Sequence, residues 1–165
     1  MMYYTQFTTP FCEIILAGDS NGLTHLHMNT GEGNRRFGIL DTWTENPGFF
    51  SDTVAQIRDY LNGKRKQFDV RIHPRGTDFQ KKVWKELTGI PYGALRTYKD
   101  IARAIGNEKA ARAVGNANNR NPIPLIVPCH RVVGTNGTLG GFAHGLSIKK
   151  RLIELECGTR LGMGT

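Results

Sequence analysis

The clearest candidate for chemistry in this sequence is a cysteine that is followed directly by a histidine. Cys129 comes after an apolar stretch over residues 123–127, and His130 and Arg131 follow it. A thiol becomes a nucleophile when it loses its proton, and a nearby imidazole or cation lowers its pKa. The pair therefore predicts a thiolate nucleophile. Neighbours in sequence need not touch in space, so the alternative is a buried structural cysteine beside a surface histidine.

A second feature is a predicted helix with small side chains around one long cation, Arg112. The small residues are Ala110, Ala111, Ala113, Gly115 and Ala117. Small side chains let the backbone of a helix come close to a neighbour. One interpretation is tight packing against another helix. The other is a helix that enters a narrow groove, with Arg112 projecting from it.

The elements that position these residues are mostly helical from residue 76 onwards. Thr77 and Asp78 cap a helix that runs to about Leu87, with its inner face formed by Phe79, Val83, Trp84 and Leu87. A capping box opens a short helix after Thr97, and Asn107 caps a second one over residues 108–118. Two short helices across a tight turn are typical of a helix-turn-helix, although many helix pairs share that outline. The pattern predicts a final amphipathic helix over residues 147–156.

Residues 1–75 carry short runs of aromatic, β-branched and apolar residues that predict strands over 2–8, 13–17, 23–28 and 68–72. The turn signal over residues 19–22 predicts a hairpin. Ser51–Leu61 is predicted as a helix with Ser51 and Asp52 at its cap. His25 and His27 share one face of a strand, a spacing that can bind metal. No clear third ligand lies nearby, so an ordinary strand face is favoured.

The charge of the chain is concentrated in its second half. The formal net charge is +8; residues 1–75 hold 8 basic and 8 acidic side chains, whereas residues 76–165 hold 14 and 6. A basic half suggests a polyanionic partner, nucleic acid first, with a basic surface kept for solubility as the alternative. The three cysteines show no zinc spacing and no export signal precedes them, which favours a reduced cytoplasmic protein. No apolar run is long enough for a transmembrane helix.

The segment Pro128–Val133 resembles the active-site motif of the O6-alkylguanine-DNA alkyltransferases. Four further segments resemble that family and occur in the same order as in its members. They are the run Ala111–Gly115 with Ala117, the pair Asn121-Pro122, the glycine-rich loop over residues 134–145, and the final helix. The resemblance is dense over residues 76–156 and loose over 1–75. It implies an α+β protein in which a small ribonuclease H-like sheet domain with helices, residues 1–75, packs on a mostly helical domain, residues 76–165, that contains a helix-turn-helix.

The resemblance also implies a role for each site residue. Cys129 is the nucleophile and final alkyl acceptor, and His130 takes its proton through a water molecule. Glu156 orients His130 and balances its charge, and Asn121 is a hinge that positions the Cys129 segment. Tyr98 lies beside the phosphate of the flipped nucleotide and donates a proton to the guanine.

On the DNA side, the resemblance implies that Arg112 enters the duplex in place of the flipped base. The small face formed by Ala111, Ala113, Gly115 and Ala117 would enter the minor groove, which is about 6 Å wide. Arg131 is also expected to contact DNA.

The resemblance places Val132, Ala143, His144 and Pro124 around the alkylated base. The carbonyls of Cys129 and Val132 would accept from the exocyclic amine, and the N–H of Ala143 would face O6. Two departures from relatives bear on this pocket. Ala143 stands where some relatives carry serine, which removes a hydroxyl bond to O6, and His144 is expected to narrow the pocket against bulky alkyl groups.

Some relatives bind zinc in the N-terminal domain through cysteine and histidine ligands. Asp19 and Thr24 stand in the corresponding region here. Neither residue type replaces that ligand set, so no metal and no cofactor is expected.

The expected function is DNA repair by irreversible transfer of an alkyl group from O6-alkylguanine in double-stranded DNA, by a monomer with no membrane contact. The base must be flipped out, because its reactive edge is inaccessible in the stack. Nothing in the sequence could cleave the resulting thioether, so each molecule acts once; activity on O4-alkylthymine stays open. The rival functions are a lesion sensor that flips alkylguanine without reacting, against which Cys129 argues, and a Cys-His hydrolase, which has no use for a basic helix-turn-helix.

Overall fold

A four-stranded sheet forms the first part of the protein, whose computed structural model describes residues 1–158. The strands in chain order are β1 (Tyr3–Thr8), β2 (Glu13–Asp19), β3 (Gly22–Asn29) and β4 (Thr44–Glu45). They lie in the order β3-β2-β1-β4; the first three are antiparallel, and β4 runs parallel to β1. The predicted hairpin is confirmed. Its turn is closed by Asp19, which accepts from the N–H of Asn21 at 2.8 Å.

Helix α1 (Ser51–Leu61) begins and ends where the sequence predicts. Its buried face adds Ile57, Tyr60 and Leu61 to the hydrophobic core that the sheet residues share. The prediction that Ser51 and Asp52 cap this helix was wrong. A 3₁₀ helix over Pro47–Phe50 leads directly into α1, so that Phe50 occupies the cap position without a side-chain hydrogen bond.

The predicted strand over residues 68–72 was also wrong. This stretch is extended, but it pairs with the sheet only through a single bridge between Ile72 and Leu23. The side-chain amide of Gln56 supplies hydrogen bonds that a neighbouring strand would give: its Oε1 accepts from the N–H of Asp69 at 2.8 Å, and its Nε2 donates to the carbonyl of Asp69 at 3.0 Å. Because the Gln56 side chain pairs with the N–H and carbonyl of Asp69, these backbone groups do not need a hydrogen-bonded neighbouring strand.

Three helices follow, α2 (Asp78–Thr88), α3 (Tyr98–Ala104) and α4 (Ala111–Asn119). The predicted capping box at Thr97 is confirmed, and so is the predicted cap at Thr77, which forms a capping box with Gln80. Phe79 was wrongly assigned to the inner face of α2, since it is 37% exposed. After α3 the chain turns at Gly106, whose φ of 85° favours glycine. A 3₁₀ turn capped by Asn107 then leads into α4 and completes the helix-turn-helix.

The last part of the chain carries a two-stranded parallel ladder and a final helix. Strands β5 (Arg96–Thr97) and β6 (Val132–Val133) pair in parallel. Between α4 and β6 lies a buried segment over residues 121–131, which ends in a 3₁₀ helix at Cys129–Arg131. Helix α5 (Leu146–Cys157) closes the described fold. Over residues 1–158, no helix is long and apolar enough to cross a membrane.

Candidate active site

Cys129 is delivered by the buried segment that follows α4, and Asn121 braces that segment. The Nδ2 of Asn121 donates to the carbonyl of Val127 at 2.8 Å, while its Oδ1 accepts from the N–H of Ile123 at 3.0 Å. The N–H of Cys129 donates to the same Val127 carbonyl at 2.8 Å. The Asn121 amide therefore holds the chain on which Cys129 is carried.

The thiol of Cys129 lies in surroundings that keep it protonated at rest. Cys129 is 4% exposed, and burial raises the pKa of its thiol because a thiolate loses hydration there. A hydrogen bond from Asn121 and the charges of Lys149 and Arg35 oppose this rise. The site thus contains groups that stabilise a thiolate once it forms, and it needs a base to form one.

His130 is placed to be that base. It is fully buried, and its Nε2 lies 2.7 Å from Oε2 of Glu156. A carboxylate accepts hydrogen bonds, so Nε2 carries the hydrogen and Nδ1 is left free to accept a proton. No protein group among the described residues pairs with Nδ1. Burial lowers the pKa of His130 and outweighs Glu156, which raises it. The ring is therefore neutral and able to take a proton.

Glu156 is a buried carboxylate with donors on both oxygens. Arg131 donates to Oε1 from Nε at 2.8 Å and to Oε2 from Nη2 at 3.0 Å, and the N–H of Gly93 donates to Oε1 at 3.2 Å. The hydroxyl of Tyr60 donates to Oε2 as well. Burial raises the pKa of Glu156, but the hydrogen bonds from His130, Arg131 and Tyr60 together bring it well below its usual range.

The prediction that Arg131 contacts DNA was wrong. Arg131 is 7% exposed, and its guanidinium is occupied by Glu156 and by the carbonyl of Ile90, to which Nη1 donates at 2.6 Å. Its charge is needed inside the protein, because a buried carboxylate without a partner is unstable.

Two residues of this site, Tyr60 and Lys149, were not identified from the sequence. Tyr60 lies on the inner face of α1, where a tyrosine is interpreted as core packing, and no sequence signal links it to Glu156. Lys149 did carry a signal: it shares the i, i+3, i+4, i+7 stripe of α5 with Leu152, Ile153 and Glu156, where a charged side chain is unexpected. Its Nζ donates to the carbonyl of Val132 at 2.7 Å and to that of Gly141 at 3.1 Å.

The backbone carbonyls expected to face the alkylated base already have partners inside the protein. The carbonyl of Cys129 accepts from Nδ2 of Asn118 at 3.3 Å and from the N–H of Val132. The carbonyl of Val132 accepts from Nζ of Lys149 at 2.7 Å. Pro124 is buried in the preceding segment. The contacts of these groups with a base stay predictions.

Tyr98 and the glycine-rich loop fit closely together. Burial raises the pKa of the Tyr98 phenol, a hydrogen bond with the Gly141 backbone lowers it, and proximity to Cys129 raises it. Gly140 has a φ of 71°, and a Cβ added there would lie 2.5 Å from the Tyr98 hydroxyl oxygen. Glycine is therefore required at residue 140, and Tyr98 lies close to the Cys129 thiol.

The loop between β3 and β4 holds the far end of the glycine-rich loop. The carbonyl of Ala143 accepts from the N–H groups of Asn34 and Arg35 at 3.1 and 3.0 Å. His144 packs its ring against His27 and Phe142, with centroids 5.2 and 5.8 Å apart. Burial lowers the pKa of His144 to about 3, so this ring is neutral. Whether His144 restricts the alkyl group stays a prediction.

The exposed face of α4 carries Arg112 and Ala113, with Ala111 and Gly115 half-buried beside them. The expectation that Ala117 belongs to this face was wrong, because Ala117 lies in the core. It is 3% exposed, and its carbonyl accepts from Nε1 of Trp84 at 2.8 Å. The small residues of α4 thus fit both interpretations given above. One side of the helix packs tightly on α2, and the other side is open to solvent and can enter a groove.

A basic cleft of about 500 Å³ lies beside the end of α4 and is lined by Asn34, Arg35, Arg36, Asn116, Asn119, Arg120 and Ala143. Its residues come from both halves of the chain. Arg35 joins them, since its guanidinium donates to the carbonyls of Asn119 and Asn121 at 3.2 and 3.3 Å. A cation at the C-terminus of a helix is favoured by the helix dipole. The cleft has no acidic lining residue and can attract an anion.

Asp19 and Thr24, which stand where some relatives have zinc ligands, serve the hairpin instead. Asp19 closes the turn, and the Thr24 hydroxyl donates to the carbonyl of Ala17 at 3.1 Å. Within residues 1–158, no group of three or more His, Cys, Asp or Glu side chains is placed to hold a metal ion. The absence of a resident metal stays a prediction.

Comparison with protein families gives two matches that together span most of the chain. The ribonuclease-like domain of 6-O-methylguanine DNA methyltransferase matches residues 2–74, and the DNA binding domain of the same protein matches residues 78–158.

Individual relatives agree with the family matches. The methylated-DNA–protein-cysteine methyltransferase of Methanosarcina acetivorans is 52% identical over 155 residues, which are 94% of this chain and 98% of the relative. The constitutive enzyme of that name from Bacillus subtilis is 40% identical over 94% of this chain and 96% of its own. The crystal structure of Mycobacterium tuberculosis OGT in complex with DNA superposes with a TM-score of 0.87 at 45% identity, covering 97% of this chain and 96% of that one.

Proposed function

The chain belongs to the 6-O-methylguanine DNA methyltransferase family, and we propose that Cys129 is the residue that accepts the alkyl group. The protein is a methylated-DNA–protein-cysteine methyltransferase that binds DNA and repairs it by direct alkyl transfer. The observation that supports Cys129 is its placement. It is a buried thiol beside a neutral histidine, and that histidine is held by a buried carboxylate.

The proposed reaction is a single displacement at the alkyl carbon. His130 takes the Cys129 proton at Nδ1 through a water molecule, and the thiolate sulfur forms a bond to the alkyl carbon. The bond from that carbon to O6 breaks, its electron pair goes to the guanine, and the guanine takes a proton from Tyr98. Tyr98 is reprotonated from the solvent, and His130 releases to the solvent the proton that it took from Cys129. Glu156 balances the charge on His130 while the proton is there.

Access to the alkyl group requires that the guanine leaves the base stack. We propose that α4 enters the minor groove by its exposed face, formed by Ala111, Ala113 and Gly115, and that Arg112 fills the space left in the duplex. The exposure of Arg112 supports this role. The basic cleft at the end of α4 supplies a surface for nearby phosphate groups.

The product is a thioether, which water and one His/Glu pair cannot cleave, so we propose that each molecule acts once. We further propose that the protein is a cytoplasmic monomer with reduced thiols, and that its two domains meet between residues 75 and 76. Cys12, Cys129 and Cys157 are free thiols in the described residues.

Mass spectrometry after incubation with O6-methylguanine DNA tests the proposal. A gain of one methyl group per molecule, mapped to Cys129, is the expected result. An unchanged mass together with tight binding to the lesion would identify a non-reactive sensor. Release of product over many turnovers would identify a hydrolase.

Replacement of Arg112 by alanine is expected to slow repair of duplex DNA more than reaction with the free base O6-benzylguanine. The side chain stabilises the flipped state, and a free base needs no flipping. The measurement is the ratio of the two rate constants in variant and parent. Lys109→Ala, at an exposed position just before α4, is the control for loss of charge. Equal losses on both substrates would show that Arg112 acts elsewhere.

Methylation of Cys129 is expected to destabilise the protein. The thiol is surrounded by close-packed groups, and an added methyl overfills such a site at a cost of roughly 1–3 kcal/mol. The methyl also disrupts the hydrogen bond with Asn121. Thermal melts should place the midpoint of the fully methylated protein several degrees below that of the parent. An unchanged midpoint would show that the pocket has spare room, and would weaken the expectation that His144 excludes bulky groups.

A further inference from the structure

Three donors from different parts of the chain meet at one oxygen of Glu156. Oε2 accepts from Nε2 of His130, from Nη2 of Arg131 and from the hydroxyl of Tyr60. Tyr60 is contributed by α1 of the sheet-containing part and is fully buried. Its hydroxyl oxygen also lies 3.3 Å from Nε2 of His130. A group outside the Cys129 motif thus contacts both partners of the proton relay.

We propose that Tyr60 is a positioning residue for alkyl transfer, whose hydroxyl group fixes the Glu156 carboxylate and limits how strongly it attracts the proton on His130. The proposal rests on the proposed function of Cys129 and His130 and adds a residue to it. Tyr60 does not reach the substrate or the thiol; it acts through Glu156.

The orientation of Glu156 depends on this contact because the two carboxylate oxygens have different tasks. Oε1 is held by Arg131 and the Gly93 backbone, whereas Oε2 faces His130. A third donor on Oε2 prevents the carboxylate from turning away from the imidazole. The Tyr60 ring cannot move easily, since it packs against Phe68 and Tyr92 with centroids 5.2 and 6.1 Å apart.

The same contact sets the basicity of His130. Tyr60 and His130 share one acceptor, so each weakens the hydrogen bond that the other makes. The charged and titratable groups around this pair are Glu156 and Lys149 of α5, Arg131 and Cys129 of the 3₁₀ helix, and Tyr92. Burial raises the pKa of the Tyr60 phenol, and Glu156 raises it further. Tyr60 is therefore a neutral donor throughout the working range, and its effect on His130 does not change with pH.

The test is the pH dependence of transfer from O6-benzylguanine as a free base, which reports on the relay without DNA. In Tyr60→Phe, Oε2 loses a donor and binds the His130 proton more tightly. We expect the acid limb of the rate profile to move up by about one pH unit, the size of one hydrogen bond to a charged group. We also expect the plateau to fall about 3- to 10-fold, because a wrongly oriented catalytic group slows a reaction. Tyr92→Phe is the matched control, since its hydroxyl contacts the carbonyl of Leu155 and not Glu156.

Site-specific 3-fluorotyrosine at residue 60 gives the opposite change without loss of the hydroxyl. Fluorine makes the phenol a stronger donor, so the acid limb should move down in pH. This second variant keeps the test valid if Tyr60→Phe does not fold. Equal midpoints in parent and both variants, or the same shift in Tyr92→Phe, would overturn the proposal. A parent that does not react at all would instead refute the proposed function.

Discussion

Replacement of Cys129 by serine is expected to abolish methyl transfer, with a loss on the order of 10⁴-fold or more, as for other removed nucleophiles. A serine hydroxyl is far less acidic than a thiol, and the neutral His130 is too weak a base to ionise it. The change removes no backbone hydrogen bond and no charge. Helix α4 and the basic cleft are untouched, so affinity for DNA should stay within about twofold of the parent.

Single-turnover transfer from labelled O6-methylguanine DNA, together with DNA binding by the same variant, measures both halves of this prediction. Cys12→Ser and Cys157→Ser are matched controls. Burial raises the pKa of the Cys12 thiol to about 11, and burial and Glu156 raise that of Cys157. Neither thiol has a neighbouring histidine relay, and both variants should retain full transfer. Label on either of these cysteines would show that the nucleophile is misassigned.

Replacement of Glu156 by glutamine is expected to lower both stability and activity. The carboxylate is the shared partner of His130, Arg131 and Tyr60 in the core. Removal of its charge leaves the Arg131 guanidinium buried without a counter-ion, which typically costs about 3–5 kcal/mol. The amide also presents a donor where two oxygens now accept. Transfer should fall because His130 loses the group that sets its orientation and balances its charge.

Denaturant unfolding at neutral pH and single-turnover rates check this result. Glu108→Gln is the control, because Glu108 forms an exposed ion pair with Arg103 at 2.6 Å. Exposed pairs are worth at most about 1 kcal/mol, so that variant should lose little. An equal loss of stability in both variants would show that the buried Glu156 carboxylate contributes no more to stability than the exposed Glu108 carboxylate.

The buried pair of Glu156 and His130 predicts how the stability of the parent protein changes in acid. The pKa of Glu156 is lowered in the folded state, so its contribution to stability is present above its unfolded value of about 4.3 and is lost as the pH falls below that value. His130 also has a lowered pKa, so the unfolded chain binds its proton more readily and stability begins to fall below about pH 6.5. The stability of Glu156→Gln should therefore fall less steeply in acid than that of the parent.

Local structure was predictable because it depends on residues that are close in sequence. The ends of α1 and the capping boxes at Thr77 and Thr97 follow from side chains within about four positions. The hairpin at Asp19 follows from its turn residues in the same way. The Cys129 motif and the order of the motifs around it were sufficient to identify the family. Failures at this level, such as the strand expected over residues 68–72, arose where a distant side chain supplied the hydrogen bonds.

The sequence by itself showed a thiol beside an imidazole and a pair of short helices in the basic half of the chain, and the resemblance of these motifs to a known family implied alkyl transfer to Cys129. Only the tertiary structure decided which side chains contact Glu156 beside His130. Arg131 turned inward to Glu156, 25 positions away, and Tyr60 reached the same carboxylate across 96 positions. Ala117 lies on the side of α4 that contacts Trp84, so the open face of α4 is formed by other residues. A buried charge takes whatever partners the folded core brings to it, and that choice depends on packing between elements, which no local pattern records.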